Sequence, residues 1–218
     1  MTNQHVPTVA AFDFDGTLTR RDSVLPFLIS VFGPRSVALA FARSLPPAGS
    51  PSLPNRDLIK QRLSSALFTG MDAAYLEAAG KEYASKILEK GLHPERVASL
   101  NRHRQAGDLV VVVSASFSFY LRPAAEALGA TAAICTELEI DASGRCTGQL
   151  LGGNCRGAEK VRRLEAWAAR QEVDLAKSPL YAYGDSTGDR ELLGLADHPI
   201  WVGRRAQRLA RSFSKKAL

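Results

Sequence analysis

Two aspartates set two apart at the close of an apolar run, Asp13 and Asp15 in Phe12-Asp13-Phe14-Asp15-Gly16-Thr17, could divide the work of breaking a phosphate ester. One carboxylate can attack phosphorus and carry the phosphoryl group for a time. The other can protonate the leaving oxygen and then deprotonate the water that follows. Such chemistry also needs positive charge against the phosphoryl oxygens, and three further stretches bear on that need. Gly184-Asp185-Ser186-Thr187-Gly188-Asp189 brings two more acids. Four carboxylates at one place repel unless a cation lies among them, and Mg2+ suits oxygen ligands that leave room for water and phosphate. Ser114, at the end of Leu109 to Val113, could hold phosphate oxygens with its hydroxyl and the next backbone N–H groups. Lys160, early in a helical stretch, could do so as a point charge.

Each fragment also has an ordinary structural reading. An acid pair often opens a turn, Ser114 could cap a strand-to-helix turn, and Asp185, Ser186 and Thr187 could cap a helix. Lys160 has Arg156, Arg162 and Arg163 for neighbours and could sit on a solvated face. What favours chemistry is the ordered set, because strand ends on one rim of an open α/β sheet are where such folds place ligands.

The intervening sequence predicts the elements that would carry these residues. Thr8 to Phe14, Leu109 to Val113, Ala132 to Thr136, Leu180 to Tyr183 and Ile200 to Val202 read as short strands, most of them apolar enough to be buried on both faces. Helical periodicity separates them, over Phe119 to Leu128, Gly157 to Arg170 and Thr187 to Leu195, with Pro94 opening another helix. Glu137 to Leu150, alternating around Asp141-Ala142-Ser143-Gly144, reads as a β-hairpin. From Asp22 to His93 the texture is helical throughout, broken by a proline-rich loop from Leu45 to Pro54. In that region Leu58, Leu63, Ala66 and Leu67 are expected to share a buried face. The fold class expected is α/β, a doubly wound parallel sheet (a Rossmann-like core) with an inserted α-helical cap and a small β-hairpin. Residues 1–21 and 94–218 would form the core and 22–93 the cap.

At 218 residues, 45% hydrophobic and 23% charged, the chain has the balance of a globular protein. Six of its 28 basic residues fall in the last fifteen positions with no acid among them, and the remaining 22 balance the 22 acids. The excess charge is therefore a property of the tail, read as a C-terminal helix with a solvated basic face. Phe213 stands alone there, so a nucleic-acid platform is not expected. Cys135, Cys146 and Cys155 match no zinc spacing and read as reduced structural thiols. Val24 to Phe32, the longest apolar stretch, is too short to span a bilayer. Asp13 comes so early that a cleaved leader would remove it, and a cytoplasmic location is expected.

Taken together, the four stretches resemble the motifs of the haloacid dehalogenase superfamily of phosphohydrolases. The helical insertion after the first motif, and Cys155-Arg156-Gly157-Ala158-Glu159-Lys160-Val161, resemble its phosphoserine-phosphatase-like subfamily. The resemblance implies that Asp13 is the nucleophile and Asp15 the acid and base. It implies that Mg2+ is held by the Asp13 carboxylate, the Asp15 carbonyl and Asp185, with Asp189 in support, while Ser114 and Lys160 bind the phosphoryl group. The chain departs from true phosphoserine phosphatases at Asp22, where those carry a glutamate, and at Ala115 and Ser116, where they carry glycines. Arg56 or Arg62 would stand for the arginine of their cap. The implied partner is a small phosphorylated metabolite such as phosphoserine, ahead of another amino-alcohol phosphate or a lipid-headgroup phosphate. Peripheral membrane contact through the cap and tail ranks below it. A phosphotransferase and a non-enzymatic binding protein using the tail are the other readings.

Overall fold

A computed structural model describes residues 6–45 and 55–203. Most of the proline-rich loop and the basic tail with its expected helix lie outside the described residues. At the centre is β1 (Val9–Phe12), whose four side chains are all buried. A strand covered on both faces has no place for polar residues, which is why its sequence reads as an unbroken apolar run. It pairs in parallel with β2 (Leu109–Phe117) on one side, Val9 opposite Leu109, and with β5 (Leu180–Gly184) on the other, Val9 opposite Leu180. β3 (Ala132–Ile140) and β6 (His198–Trp201) extend the sheet in parallel, and β4 (Cys146–Leu151) closes one edge antiparallel to β3. The strand order is β4-β3-β2-β1-β5-β6. The chain thus extends the sheet from β1 first on one side and then on the other, which makes the carboxyl end of β1 the switch point where such folds place ligands.

Alternate strand residues feed two cores. Phe12, Val110 and Val112 face one, with Phe27, Phe68, Leu76, Phe117 and Tyr120. Val9, Ala11, Val111 and Val113 face the other, with Leu164, Trp167 and Leu192. The first core belongs in large part to four helices inserted between the turn Phe14–Leu18 and helix α5 (Pro94–Gln105): α1 (Val24–Phe32), α2 (Pro34–Ser44), α3 (Arg56–Phe68) and α4 (Ala73–Lys90). The two connections of this insertion run side by side, Arg20 N–H donating to the Gly91 carbonyl and His93 N–H to that of Leu18, each at 2.8 Å. α6 (Ser118–Ala127), α7 (Ala158–Arg170) and α8 (Arg190–Leu195) complete the chain, a single 3-10 turn at Thr187–Asp189 leading into α8. Among the described residues no helix is long and apolar enough to cross a membrane. All three cysteines are free and buried.

Three local expectations are corrected. β2 does not end at Val113 but runs through Ser114-Ala115-Ser116 to Phe117, its register with β3 shifting between Val113 and Phe117. The expected third strand and the first arm of the hairpin are one strand, β3. On α3 the buried residues are Ser64, Leu67 and Phe68, with Leu63 packed beside them, whereas Leu58 and Ala66 are exposed. The helix settles on β4 and α2 with the face that carries Leu63, Leu67 and Phe68, and Leu58 lies off it.

Candidate active site

Asp13 follows β1 directly, and its N–H donates to the Tyr183 carbonyl on β5 at 2.9 Å, so the sheet itself fixes the residue. The chain then turns sharply. Gly16 takes φ +78°, which a side chain would resist. A Cβ there would also collide with the Asp185 carboxylate, so glycine is what lets the first loop lie against the fourth.

Lys160 reaches the same point from the first turn of α7. It is 2% exposed, and its ammonium donates to Asp13 Oδ1 at 2.6 Å and to Asp189 Oδ1 at 2.5 Å. The solvated-face reading of this lysine is therefore wrong. Its neighbour Arg163 is not solvated either: Nε meets Glu159 at 2.7 Å, and the guanidinium caps the carbonyls of Cys135, Leu151, Gly152 and Gly153. Arg163 thereby ties α7 to the loop after β4.

Asp189 divides its carboxylate. Oδ1 takes Lys160, while Oδ2 accepts the Ser186 N–H (3.0 Å) and hydroxyl (2.8 Å). Ser186 Oγ accepts the Gly188 N–H in return, a reciprocal cap that holds the loop rigid. Capping and convergence thus coexist, and Asp185 takes no part in the cap. Asp13, Asp185 and Asp189 each bring a carboxylate oxygen to within 4.8 Å of the others.

The charges are out of balance. Burial and the charge on Asp189 push the Asp13 carboxyl well above the usual range, against the pull of Lys160. Burial acts on Asp189 in the same direction, but Lys160 and the Ser186 donors hold it below its ordinary value. Burial works against the Lys160 ammonium, yet its two carboxylate partners keep it charged to higher pH than a free lysine. Asp185 is pushed up to about 6, by burial and then by Asp189. Three acids facing one ammonium lack a positive charge on the Asp185 side, and an all-oxygen donor set of this kind fits a hard divalent cation.

Asp15 points elsewhere. Its Oδ1 accepts the Ser23 N–H at 2.8 Å and its Oδ2 the Ser116 hydroxyl at 2.6 Å, so its carboxylate is not in the acid cluster. Burial raises its carboxyl above the ordinary value, those two donors opposing. Ser23 is itself anchored, its hydroxyl on Tyr120 Oη (3.0 Å) and its carbonyl accepting from Tyr83 Oη (2.8 Å). Ser114 is 1% exposed, and its Oγ accepts the Ser116 N–H at 3.1 Å. Ser23, Tyr83 and Tyr120 were not marked by the sequence, since nothing near them in the chain signals a role. Ser116 stood only as a departure from the glycines of phosphoserine phosphatases. Asp22 caps α1, accepting the Leu25 N–H at 3.1 Å; Arg56 and Arg62 are both exposed.

An α/β sheet carries, at its switch point, an acid cluster gathered around a buried lysine, and sequence comparison identifies the class to which the chain belongs. Residues 10–194 match the haloacid dehalogenase-like hydrolase family, and the chain belongs to it. It is similar to protein CicA of Caulobacter vibrioides, 36% identical over 204 residues that cover 88% of this chain and 85% of that protein. It is also similar to a histidinol-phosphatase of Neisseria meningitidis serogroup C, 30% identical over 128 residues, 58% of each chain. In three dimensions it resembles a substrate-bound phosphoserine phosphatase with a TM-score of 0.60 at 18% identity, covering 96% of this chain and 99% of the other.

Proposed function

We propose that this protein is a magnesium-dependent phosphomonoesterase that hydrolyses a small organic phosphate through a phosphoryl group carried on Asp13. The observation that carries the reading is the meeting of Asp13, Lys160, Asp185 and Asp189, from three separate stretches of chain, at the carboxyl end of the central strand. Asp13 attacks phosphorus with its carboxylate. Lys160 orients that carboxylate and keeps one N–H, unspent on the two aspartates, for a phosphoryl oxygen. Ser114, whose hydroxyl proton is not used by its local turn, donates to another. Asp15 stands ready as the acid: its raised carboxyl is suited to hold a proton for the leaving oxygen, and the Ser23 and Ser116 donors stabilise the carboxylate that then draws a proton from water.

Asp13, Asp185 and the Asp15 carbonyl would hold the metal, with Asp189 supporting. When bound it would offset charge on the phosphoryl oxygens and return the carboxylates to their ionised form. Residues 22–93 act in this reading as a cap that closes over the substrate and excludes water until the leaving group departs. Phosphoserine heads the substrate panel because the insertion resembles that of its phosphatases, and because relatives of this chain carry phosphatase names. The test is phosphate release from an aryl phosphate and from that panel, with magnesium or with EDTA, beside Asp13→Asn. Magnesium-dependent release lost in the variant is the expected result. Release that survives in Asp13→Asn overturns the covalent mechanism.

A further inference from the structure

One cation near the site has no part in the chemistry above. Lys60 projects from α3, its stem half-buried and its ammonium enclosed. The ammonium donates to the Ala115 carbonyl, to Thr136 Oγ1 at 3.2 Å and to Asn154 Oδ1 at 2.9 Å, and it lies 4.5 Å from the centre of the Phe117 ring. An ammonium has three protons, and all three are spent on protein acceptors. No carboxylate among the described residues touches it. Asp15, Asp57, Cys135 and Cys155 face it only through space.

The acceptors are themselves knitted together. Thr136 Oγ1 donates to the same Ala115 carbonyl (2.9 Å) and accepts the Cys155 N–H (3.1 Å), and the Asn154 amide donates to Asp57 Oδ1 (2.7 Å) on α3. Lys60 and Asp57 therefore fasten one inserted helix to the end of β2, to the middle of β3 and to the loop before α7. The carbonyl that Lys60 grips is that of Ala115, between Ser114 and Ser116, inside the stretch where β2 leaves register with β3. Ser114 is the phosphate-binding candidate and Ser116 holds Asp15. The site thus depends on a carbonyl that the sheet does not hold in regular register.

We propose that Lys60 is a positioning residue that makes the seating of α3 a condition for aligning Ser114 and Ser116, and through Ser116 the acid–base Asp15. The proposal rests on the phosphatase reading of the site. Burial without a carboxylate partner brings the Lys60 ammonium down to about 8. Above that pH the group becomes an amine with two protons and a lone pair, and the grip on the Ala115 carbonyl loosens. The linkage has a distinguishing sign. A lysine with a lowered folded value makes the unfolded chain the better proton binder between about 8 and 10.5, so this group does not destabilise the fold as pH rises through that window. Activity should fall there while the thermal midpoint does not.

The test compares pH profiles of kcat and KM for wild type, Lys60→Met and Lys60→Arg on an aryl phosphate with magnesium. It is read beside the backbone amide resonances of Ser114 to Phe117 in the free protein. Wild type should lose kcat above about pH 8, with the amides shifting at the same midpoint. Lys60→Met should lower kcat by about 10- to 100-fold, the range expected when a catalytic group is slightly misplaced, with little change in KM. Its remaining profile should have no limb near 8. Lys60→Arg, which stays charged, should recover part of kcat and remove the limb. Asn154→Ala, which takes one acceptor from the ammonium, should move the amide midpoint down, and it serves if Lys60→Met does not fold. Amides that ignore pH near 8, or a limb that persists unchanged in Lys60→Met, overturn the proposal. A wild type that releases no phosphate while its amides titrate as described contradicts the phosphatase reading and leaves the Lys60 linkage standing.

Discussion

Lys160 sits between two carboxylates that differ in what else holds them. Asp189 is fixed by Ser186 as well, whereas among the described residues the Asp13 side chain is held by Lys160 alone, as the proposed nucleophile requires. Two predictions follow from that asymmetry. Asp13→Asn should cost at least about 10⁴-fold in kcat, the scale on which loss of a nucleophile acts, while keeping the thermal midpoint within about 3 °C, because the removed charge was held unfavourably. Lys160→Met should also abolish turnover, but it leaves two buried acids without their cation and should destabilise by about 3–5 kcal/mol in urea unfolding. Equal stability of the two variants would contradict this division of roles. The sequence singled these residues out by type, since acids in pairs, a lysine, a serine and glycines where loops approach are what the proposed chemistry calls for, and the structure brings Asp13, Lys160, Asp185 and Asp189 together. Ser23 and Lys60 were not singled out, since each acts on atoms far along the chain, Ser23 with Tyr120 and Lys60 with Asn154, and no local spacing records such meetings.

Among the elements, β5 was read to within a residue, Leu180 to Tyr183 against Leu180–Gly184, because a continuous apolar run leaves few alternatives, whereas the run expected over Thr8 to Phe14 is a strand only over Val9–Phe12. The polar end of β2 was missed for the converse reason. Ser114-Ala115-Ser116 has no strand pattern of its own and is extended because the Ser116 hydroxyl, the Ala115 carbonyl and the partner strand hold it. α3 misled through its exposed Leu58, since helix packing and not leucine spacing chose the buried face. The insertion is attached through a contact that leaves no room: a Cβ on Gly80 of α4 would strike the Phe119 carbonyl on α6. Gly80→Ala should therefore destabilise by about 1–3 kcal/mol in spite of alanine's better helix propensity. Chemical denaturation would show it, and a stabilised Gly80→Ala would mean that α4 and α6 pack less closely.

At the scale of the whole molecule, the acid cluster should link stability to pH and, in the proposed reading, to metal. Asp185 is raised from 3.8 to about 6, so the folded protein binds more protons than the unfolded chain in that interval. Its contribution is intact at the acid end and is lost as pH rises through about 6, and the metal-free protein should become less stable across that window. Magnesium should reverse the loss. At a hundred times its dissociation constant a cation adds about 2.7 kcal/mol, or about 5–10 °C in the thermal midpoint of a chain this size. A midpoint indifferent to magnesium at neutral pH would speak against a metal in the Asp13, Asp185 and Asp189 cluster. The architecture as a whole and a meeting of acids at the strand ends were foreseeable from alternating strands and helices and the ordered motifs, but the pairing of the buried Lys160 with Asp13 and Asp189 shows only in three dimensions. The central claim is that Asp13 carries the phosphoryl group, and the most direct measurement is mass spectrometry of protein quenched in acid during turnover of an aryl phosphate with magnesium. A phosphoryl adduct on the peptide bearing Asp13, absent with EDTA and in Asp13→Asn, is the predicted result. Turnover with no adduct at any quench time, or an adduct on another residue, would contradict it.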